Sequence, residues 1–191
     1  MKKATVLKGL SVIKYKTFED NRGSLAEVYT KRDFINLGIK EEFVQDNFSS
    51  SKKGVFRGLH FQIKNTQSKL IRVNKGMGIS VALDLRRESK TFGKLEKIFL
   101  SKDNRKMLYL PKGFAHGFLS LEDNTELHYK CSDYYNPEYE GGIYWLDKDI
   151  NLTFELSQDG LSLKDIILSE KDKNLMSFHE FISSGIKLWY Y

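Results

Sequence analysis

From Leu70 onward, short apolar or alternating runs follow one another with polar breaks between them: Leu70-Ile71-Arg72-Val73, Ile79-Ser80-Val81-Ala82-Leu83-Asp84-Leu85, Lys97-Ile98-Phe99-Leu100, Met107-Leu108-Tyr109-Leu110, Phe118-Leu119-Ser120-Leu121 and Glu126-Leu127-His128-Tyr129-Lys130. Runs this short, set this close together, predict antiparallel strands rather than helices. The breaks Asn74-Lys75-Gly76, Lys102-Asp103-Asn104 and Glu122-Asp123-Asn124 carry turn chemistry, because Asn, Asp and Gly tolerate the backbone conformations that tight turns need. The predicted fold class is all-β, a jelly-roll barrel. Helical signal is confined to the ends, over Lys31 to Leu37 and Ser177 to Ser183, where Ser177-Phe178-His179-Glu180 has the form of a capping box. These are accessory helices.

Strand alternation sorts the side chains, since residues two apart share a face. Leu127, Tyr129 and Cys131 point one way, and Glu126, His128 and Lys130 the other, so Tyr129 faces the interior and His128 does not. An inward phenol is either a core tyrosine with a satisfied hydroxyl or a proton donor. In Gly54-Val55-Phe56-Arg57-Gly58-Leu59-His60-Phe61-Gln62, simple alternation puts Arg57 and His60 on opposite faces. Gly58 between them permits a bulge that turns both toward one cavity. Pro111-Lys112-Gly113-Phe114-Ala115-His116 reads as a turn re-entering a strand, with His116 directed inward beside Gly117.

A histidine exchanges protons near neutral pH, and an arginine grips phosphate or carboxylate through paired, charge-assisted hydrogen bonds. One histidine in an apolar run serves packing more often than catalysis. Three polar-in-apolar segments, around His60, His116 and Tyr129, point to a shared cavity and to acid–base chemistry on an anionic substrate.

Composition narrows the classes. A chain of 191 residues without a low-complexity linker is long enough for one domain, read here as 1–191. The run Met1 to Lys8 is too briefly apolar for a signal peptide, and no stretch approaches a membrane span, so a soluble cytoplasmic protein is expected. The single cysteine, Cys131, has no disulfide partner within the chain and reads as a small core residue. The net charge of +6 comes from lysines scattered among acids, as in Ser169-Glu170-Lys171-Asp172-Lys173; that describes a solvated surface rather than a nucleic-acid footprint.

The turn Pro111 to His116 resembles one common in the cupin superfamily. Metal-binding cupins pair two histidines one residue apart with a following acid, whereas His60 is followed by Phe61 and Gln62, so no metal is expected. A wider resemblance is to nucleotide-sugar epimerases of the dTDP-4-dehydrorhamnose 3,5-epimerase family. It runs in order through Asp20-Asn21-Arg22-Gly23, Phe43-Val44-Gln45-Asp46-Asn47, Gly54 to Gln62, Gln67-Ser68-Lys69-Leu70, Leu110 to Phe118, Tyr129 to Pro137 and Leu168-Ser169-Glu170-Lys171-Asp172.

That resemblance implies a cofactor-independent epimerisation at C3 and C5 of a nucleoside-diphosphate 4-keto-6-deoxy sugar. It implies His60 as the base with Asp172 behind it, Lys69 stabilising the enolate oxygen, and Tyr129 as the acid across the ring. It further implies phosphate contacts from Arg57 and Arg22, base or ribose contacts from Glu27, Gln45 and Asn47, Tyr135 as an aromatic wall, and Lys112 and His116 lining the same pocket. Because the family's Arg22 to Glu27 segment reaches into a neighbouring subunit, a homodimer is implied.

Two departures bear on specificity. Ser24-Leu25-Ala26 stands where the family usually has a phenylalanine near the nucleotide, which leaves the base open. Ser80 stands where the family commonly has an inward aspartate, which leaves a single-site 3-epimerase, or an epimerase for another nucleotide-linked 4-keto sugar, as the alternative. A sugar-nucleotide-binding cupin without catalysis is the reading from a different class.

Overall fold

The computed structural model describes residues 2–156 and 160–190; Met1 of the N-terminal run lies outside the described residues. In chain order the strands are β1 (Lys2–Ala4), β2 (Ser11–Lys14), β3 (Phe18–Asp20), β4 (Gly23–Leu25), β5 (Gln45–Ser51), β6 (Phe56–Gln62), β7 (Lys69–Lys75), β8 (Met77–Asp84), β9 (Leu95–Ser101), β10 (Lys106–Leu110), β11 (Phe114–Ser120), β12 (Thr125–Cys131) and β13 (Glu140–Gly142). They form a six-stranded sheet ordered β1-β2-β10-β7-β12-β5 and a five-stranded sheet ordered β13-β6-β11-β8-β9, with β3 and β4 as a separate hairpin. All pairings between these strands are antiparallel. The jelly roll expected from the spacing is present, and it is open: among the described residues no ladder joins the two sheets.

Alternation explains why these residues make these sheets. Ile71 and Val73 of β7, Leu108 of β10 and Leu127 of β12 meet Ala82 of β8, Leu100 of β9 and Phe118 of β11 in one buried cluster between the sheets. Each fully buried side chain of this size contributes about 1.5–3 kcal/mol through removal from water. The opposite side of the smaller sheet is covered by the C-terminal third, where Phe56, Val81 and Leu83 pack with Trp145, Phe178 and Phe181. The outer side of the larger sheet is capped by Phe34 and Ile39 against Ile13, Leu70, Met107 and Tyr109.

Among the described residues three short α-helices accompany the sheets. Helix α1 (Lys31–Asn36) starts on Thr30, whose side chain accepts from the Asp33 amide, and buries Phe34. Helix α3 (Phe178–Ser183) has the capping box expected of Ser177 and Glu180 and buries Phe178 and Phe181. A single turn, α2 (Glu170–Lys173), was not anticipated; its cap is Ser169, and it carries a buried Asp172.

Asp84, at the end of β8, has no exposed surface and accepts from Arg86 Nε at 2.8 Å, Ser89 Oγ at 2.7 Å and Thr91 Oγ1 at 2.6 Å. Burial alone would raise its pKa, but the hydrogen bonds from Arg86, Thr91 and Ser89 outweigh it and hold the carboxyl below its usual range. Asp84→Asn keeps the shape and loses the charge. It is expected to cost about 2 kcal/mol, within the range for hydrogen bonds to ionised groups, and to lower the melting temperature by roughly 5 °C in a thermal unfolding scan. An unchanged melting temperature would show that the network is neutral to stability.

Candidate active site

The site depends on an irregularity in β6. Its pairing with β11 sets His116 opposite His60 and Phe118 opposite Arg57, with a register shift between them, so β6 spends one residue more than β11 over the same length. Gly58 occupies the shift with φ +123°, and a Cβ on it would stand 2.6 Å from both Gly117 Cα and the His116 carbonyl oxygen. Only glycine fits such an approach. The bulge restores phase: Phe56, Leu59 and Phe61 pack into the outer core, while Arg57 and His60 both line the space between the sheets.

That space is one cleft in two parts, of about 320 Å3 and about 270 Å3, which share His60, Lys69 and Tyr129. The first part adds Gln45, Asn47, Cys131, Tyr135 and Glu140; the second adds Arg57, His116, Lys171 and Asp172.

His60 Nε2 meets Asp172 Oδ1 at 2.6 Å, across 112 positions of sequence. The Gly58 amide donates to Asp172 Oδ2 at 3.4 Å, and the Asp172 amide donates to Ser169 Oγ at 3.1 Å. Burial would raise the Asp172 pKa, but its hydrogen bonds, that with His60 foremost, hold it below the usual carboxylate range. An ionised Asp172 accepts the proton on His60 Nε2 and leaves the other ring nitrogen with a free lone pair.

Burial lowers the Lys69 pKa, partly offset by Cys131 and Glu140, and the amine makes no ion pair among the described residues. Lys69 Nζ lies 5.6 Å from the centroid of the Tyr129 ring. Burial and the nearby Cys131 raise the Tyr129 phenol, which therefore keeps its proton at neutral pH. His116 is driven well below the ordinary histidine value by burial, then by Lys69 and His60; Ser80 Oγ is 3.3 Å from its Nε2. Cys131 is buried as expected, yet it borders the cavity, with its sulfur 3.6 Å from Asn47 Nδ2.

At the rim, Gln45 Nε2 donates to Asn47 Oδ1 at 3.0 Å, and the Tyr135 amide donates to Gln45 Oε1 at 2.8 Å. Arg57, an exposed residue, donates from Nε to Ser51 Oγ at 3.1 Å and from Nη2 to the Ser50 carbonyl at 3.5 Å. Two residues to which the sequence assigned no role in the site belong here. Glu140, on β13, pairs with Lys171 of α2 and accepts from the Tyr135 hydroxyl. No periodicity marks either residue, because β13 and α2 are too short to show one.

Three expected residues stand apart. Lys112 lines neither part of the cleft, since the turn before β11 points Gly113 and Phe114 inward instead. Arg22 and Glu27 lie on or just after the exposed β3–β4 hairpin, away from this chain's own cavity; Arg22 is paired with Asp20 at 2.6 Å. Among the described residues no group of three or more His, Cys, Asp or Glu side chains is arranged to hold a metal ion, and no helix is long and apolar enough to cross a membrane.

The cupin-like jelly roll and the proteins it matches define the class: an epimerase, an enzyme of the isomerase group. The family model for dTDP-4-dehydrorhamnose 3,5-epimerase matches residues 4–180, and the chain belongs to that family. It is 43% identical over 176 residues to the dTDP-4-dehydrorhamnose 3,5-epimerase of Methanothermobacter thermautotrophicus, covering 92% of this chain and 93% of that one. Among solved structures it is similar to the dTDP-6-deoxy-D-glucose-3,5-epimerase of Legionella pneumophila in complex with dTDP-4-keto-L-rhamnose, at TM-score 0.91 and 37% identity, with 99% and 98% of the two chains covered. It is also similar to a 3'-monoepimerase of Streptomyces bikiniensis in complex with dTDP-quinovose, at TM-score 0.87 and 27% identity, with 97% and 92% covered.

Proposed function

We propose that this chain, acting as one catalytic domain over 1–191, inverts C3 and C5 of a nucleoside-diphosphate 4-keto-6-deoxy sugar. The reaction is of the type that turns dTDP-4-dehydro-6-deoxy-glucose into dTDP-4-dehydro-rhamnose. The observation that carries the reading is the His60–Asp172 pair in one cleft with Lys69 and Tyr129.

The free ring nitrogen of His60 takes the proton from the carbon beside the ketone, and Asp172 stabilises the imidazolium that forms. The electron pair of the broken C–H bond moves onto the ketone oxygen as an enolate, and the Lys69 ammonium stabilises that charge. Tyr129, still protonated, returns a proton to the opposite face of the carbon and inverts it. Arg57 grips the diphosphate, Gln45 and Asn47 meet the base or ribose, Tyr135 provides an aromatic wall, and His116 lines the sugar end. Neither a metal nor a cofactor takes part in this scheme.

We further propose a cytoplasmic homodimer in which the β3–β4 hairpin, with Arg22 and nearby Glu27, completes the partner's site. Its support is exposure: every residue of β3 and β4 faces solvent, Phe18 and Leu25 included. A second reading, epimerisation at C3 alone, is favoured by His116, whose hydrogen-bond partner is a serine rather than a carboxylate.

A proton NMR time course in deuterated buffer, with enzymatically generated dTDP-4-keto-6-deoxy-glucose, separates the two. Deuterium is expected at both C3 and C5. Incorporation at C3 alone selects the second reading, and no incorporation with this or any other nucleotide-linked 4-keto sugar would end the catalytic one.

A further inference from the structure

The cleft holds two histidines that face each other across the β6–β11 ladder, yet their partners differ in kind. His60 has a carboxylate at 2.6 Å, whereas His116 has the hydroxyl of Ser80 at 3.3 Å. Ser80 sits in mid-strand on β8, with Phe118 and Ile98 as its neighbours on the flanking strands, and has no exposed surface. A hydroxyl enclosed among apolar neighbours is costly unless it is bonded, so the contact with His116 is what satisfies it.

Of the groups around His116, Lys69 and His60 oppose a charge on it, and Arg57 and Lys171 line the same part of the cleft. Across β6 stands His60, from β7 comes the Lys69 amine, from β12 the Tyr129 phenol, and from β8 only Ser80. Two carboxylates have other attachments: Asp84, also on β8, is engaged by Arg86, Ser89 and Thr91, and Asp172 by His60. Where environments push two like groups apart, their roles divide with them.

We propose that Ser80 is a positioning residue that fixes His116 as an uncharged imidazole in a single tautomer, whose remaining ring nitrogen hydrogen-bonds a polar group of the bound sugar. What the imidazole touches rests on the epimerase reading above; the Ser80–His116 bond does not. The cleft then has one histidine that carries protons and one that orients the ring without exchanging any. His116 agrees with this independently, since burial and the neighbouring Lys69 and His60 hold it well below the ordinary histidine value.

Long-range proton–nitrogen NMR on protein labelled with 15N-histidine reads both tautomer and charge without needing turnover. In the wild type, His116 is expected to show one neutral tautomer across about pH 5 to 8, the range over which an ordinary histidine titrates. Ser80→Ala is expected to give a mixture of tautomers, and Ser80→Asp to make His116 cationic near neutral pH.

In the deuterium-exchange assay, Ser80→Ala should lower kcat about threefold to tenfold, the worth of one hydrogen bond, with KM little changed, and Ser80→Thr should restore it. A thermal melt of each variant identifies any that has not folded, and the wild-type titration stands whatever the variants do. A wild-type His116 that charges in the neutral range, or a folded Ser80→Ala with unaltered tautomer and kcat, would overturn the proposal. Absence of exchange in the wild type would instead remove the epimerase reading and leave the NMR result to decide the role of Ser80.

Discussion

Replacing His60 with alanine is expected to slow deuterium incorporation beside the substrate ketone by about a hundredfold to ten-thousandfold, the range for losing a positioned general base. His60 is the one imidazole in the cleft with a carboxylate against it, and that contact decides which ring nitrogen is free to accept a proton. His116 cannot take over, because it lacks such a partner and lies beside Lys69. The His60 ring borders the open cleft, so water can fill the space it leaves, and Asp172 keeps the Gly58 amide as a donor. The variant should therefore fold and still take up nucleotide, as a thermal melt and a binding titration with the nucleoside diphosphate would establish. Exchange within tenfold of the wild type would place the base elsewhere.

Lys69→Met is expected to cost about a hundredfold to a thousandfold in kcat, the usual loss when a preorganised stabiliser of a developing oxyanion is removed. Methionine matches the length of the stem and removes the ammonium group, its charge and its donors together. The pH profile provides a second readout. Burial holds the Lys69 pKa below the ordinary lysine value, with Cys131 and Glu140 opposing that shift. The protonated form is the active one, so activity is full below that lowered pKa and falls as pH rises through it, earlier than a solvent-exposed lysine would dictate. In Lys69→Met this alkaline limb should disappear along with most of the rate. A variant with wild-type kcat, or one that keeps the same alkaline limb, would rule out Lys69 as the enolate stabiliser.

The strands best read from sequence are those with a dry face. Each of β7 to β12 packs at least one side into a core, and the expected runs fall on the observed strands, those at Leu85 and Leu121 overrunning by one residue. β5 escaped that reading although it alternates: its inward residues Gln45, Asn47 and Ser49 face a cavity, so polar side chains stand where apolar ones would mark a strand. β3 and β4 have no buried face at all.

In the cleft, the inward direction of Tyr129 follows from alternation, and that of His116 from the turn that re-enters a strand at Pro111 to His116. The meeting of His60 with Asp172 does not, because nothing local links a strand residue to a one-turn helix 112 positions later. Only the resemblance brought Asp172 into view. Glu140 and Lys171 were missed for the same reason, since their pairing is a product of the folded chain. Lys112 shows the converse: it belongs to a recognisable motif, yet the turn aims its neighbours rather than itself at the cleft.

The additional residue that β6 carries opposite β11 makes the cleft a matter of arithmetic as well as chemistry. Straightening the strand with all its residues in place would leave every reactive side chain in the protein and yet turn His60 away from the face that Arg57 occupies, toward the side where Phe61 packs on Phe181. Gly58, which carries no reactive group, is thus less tolerant of substitution than many residues that line the cleft. A side chain at position 58, in an otherwise well-matched sequence, would mark a protein that retains this vocabulary but has lost the syntax that gives it meaning.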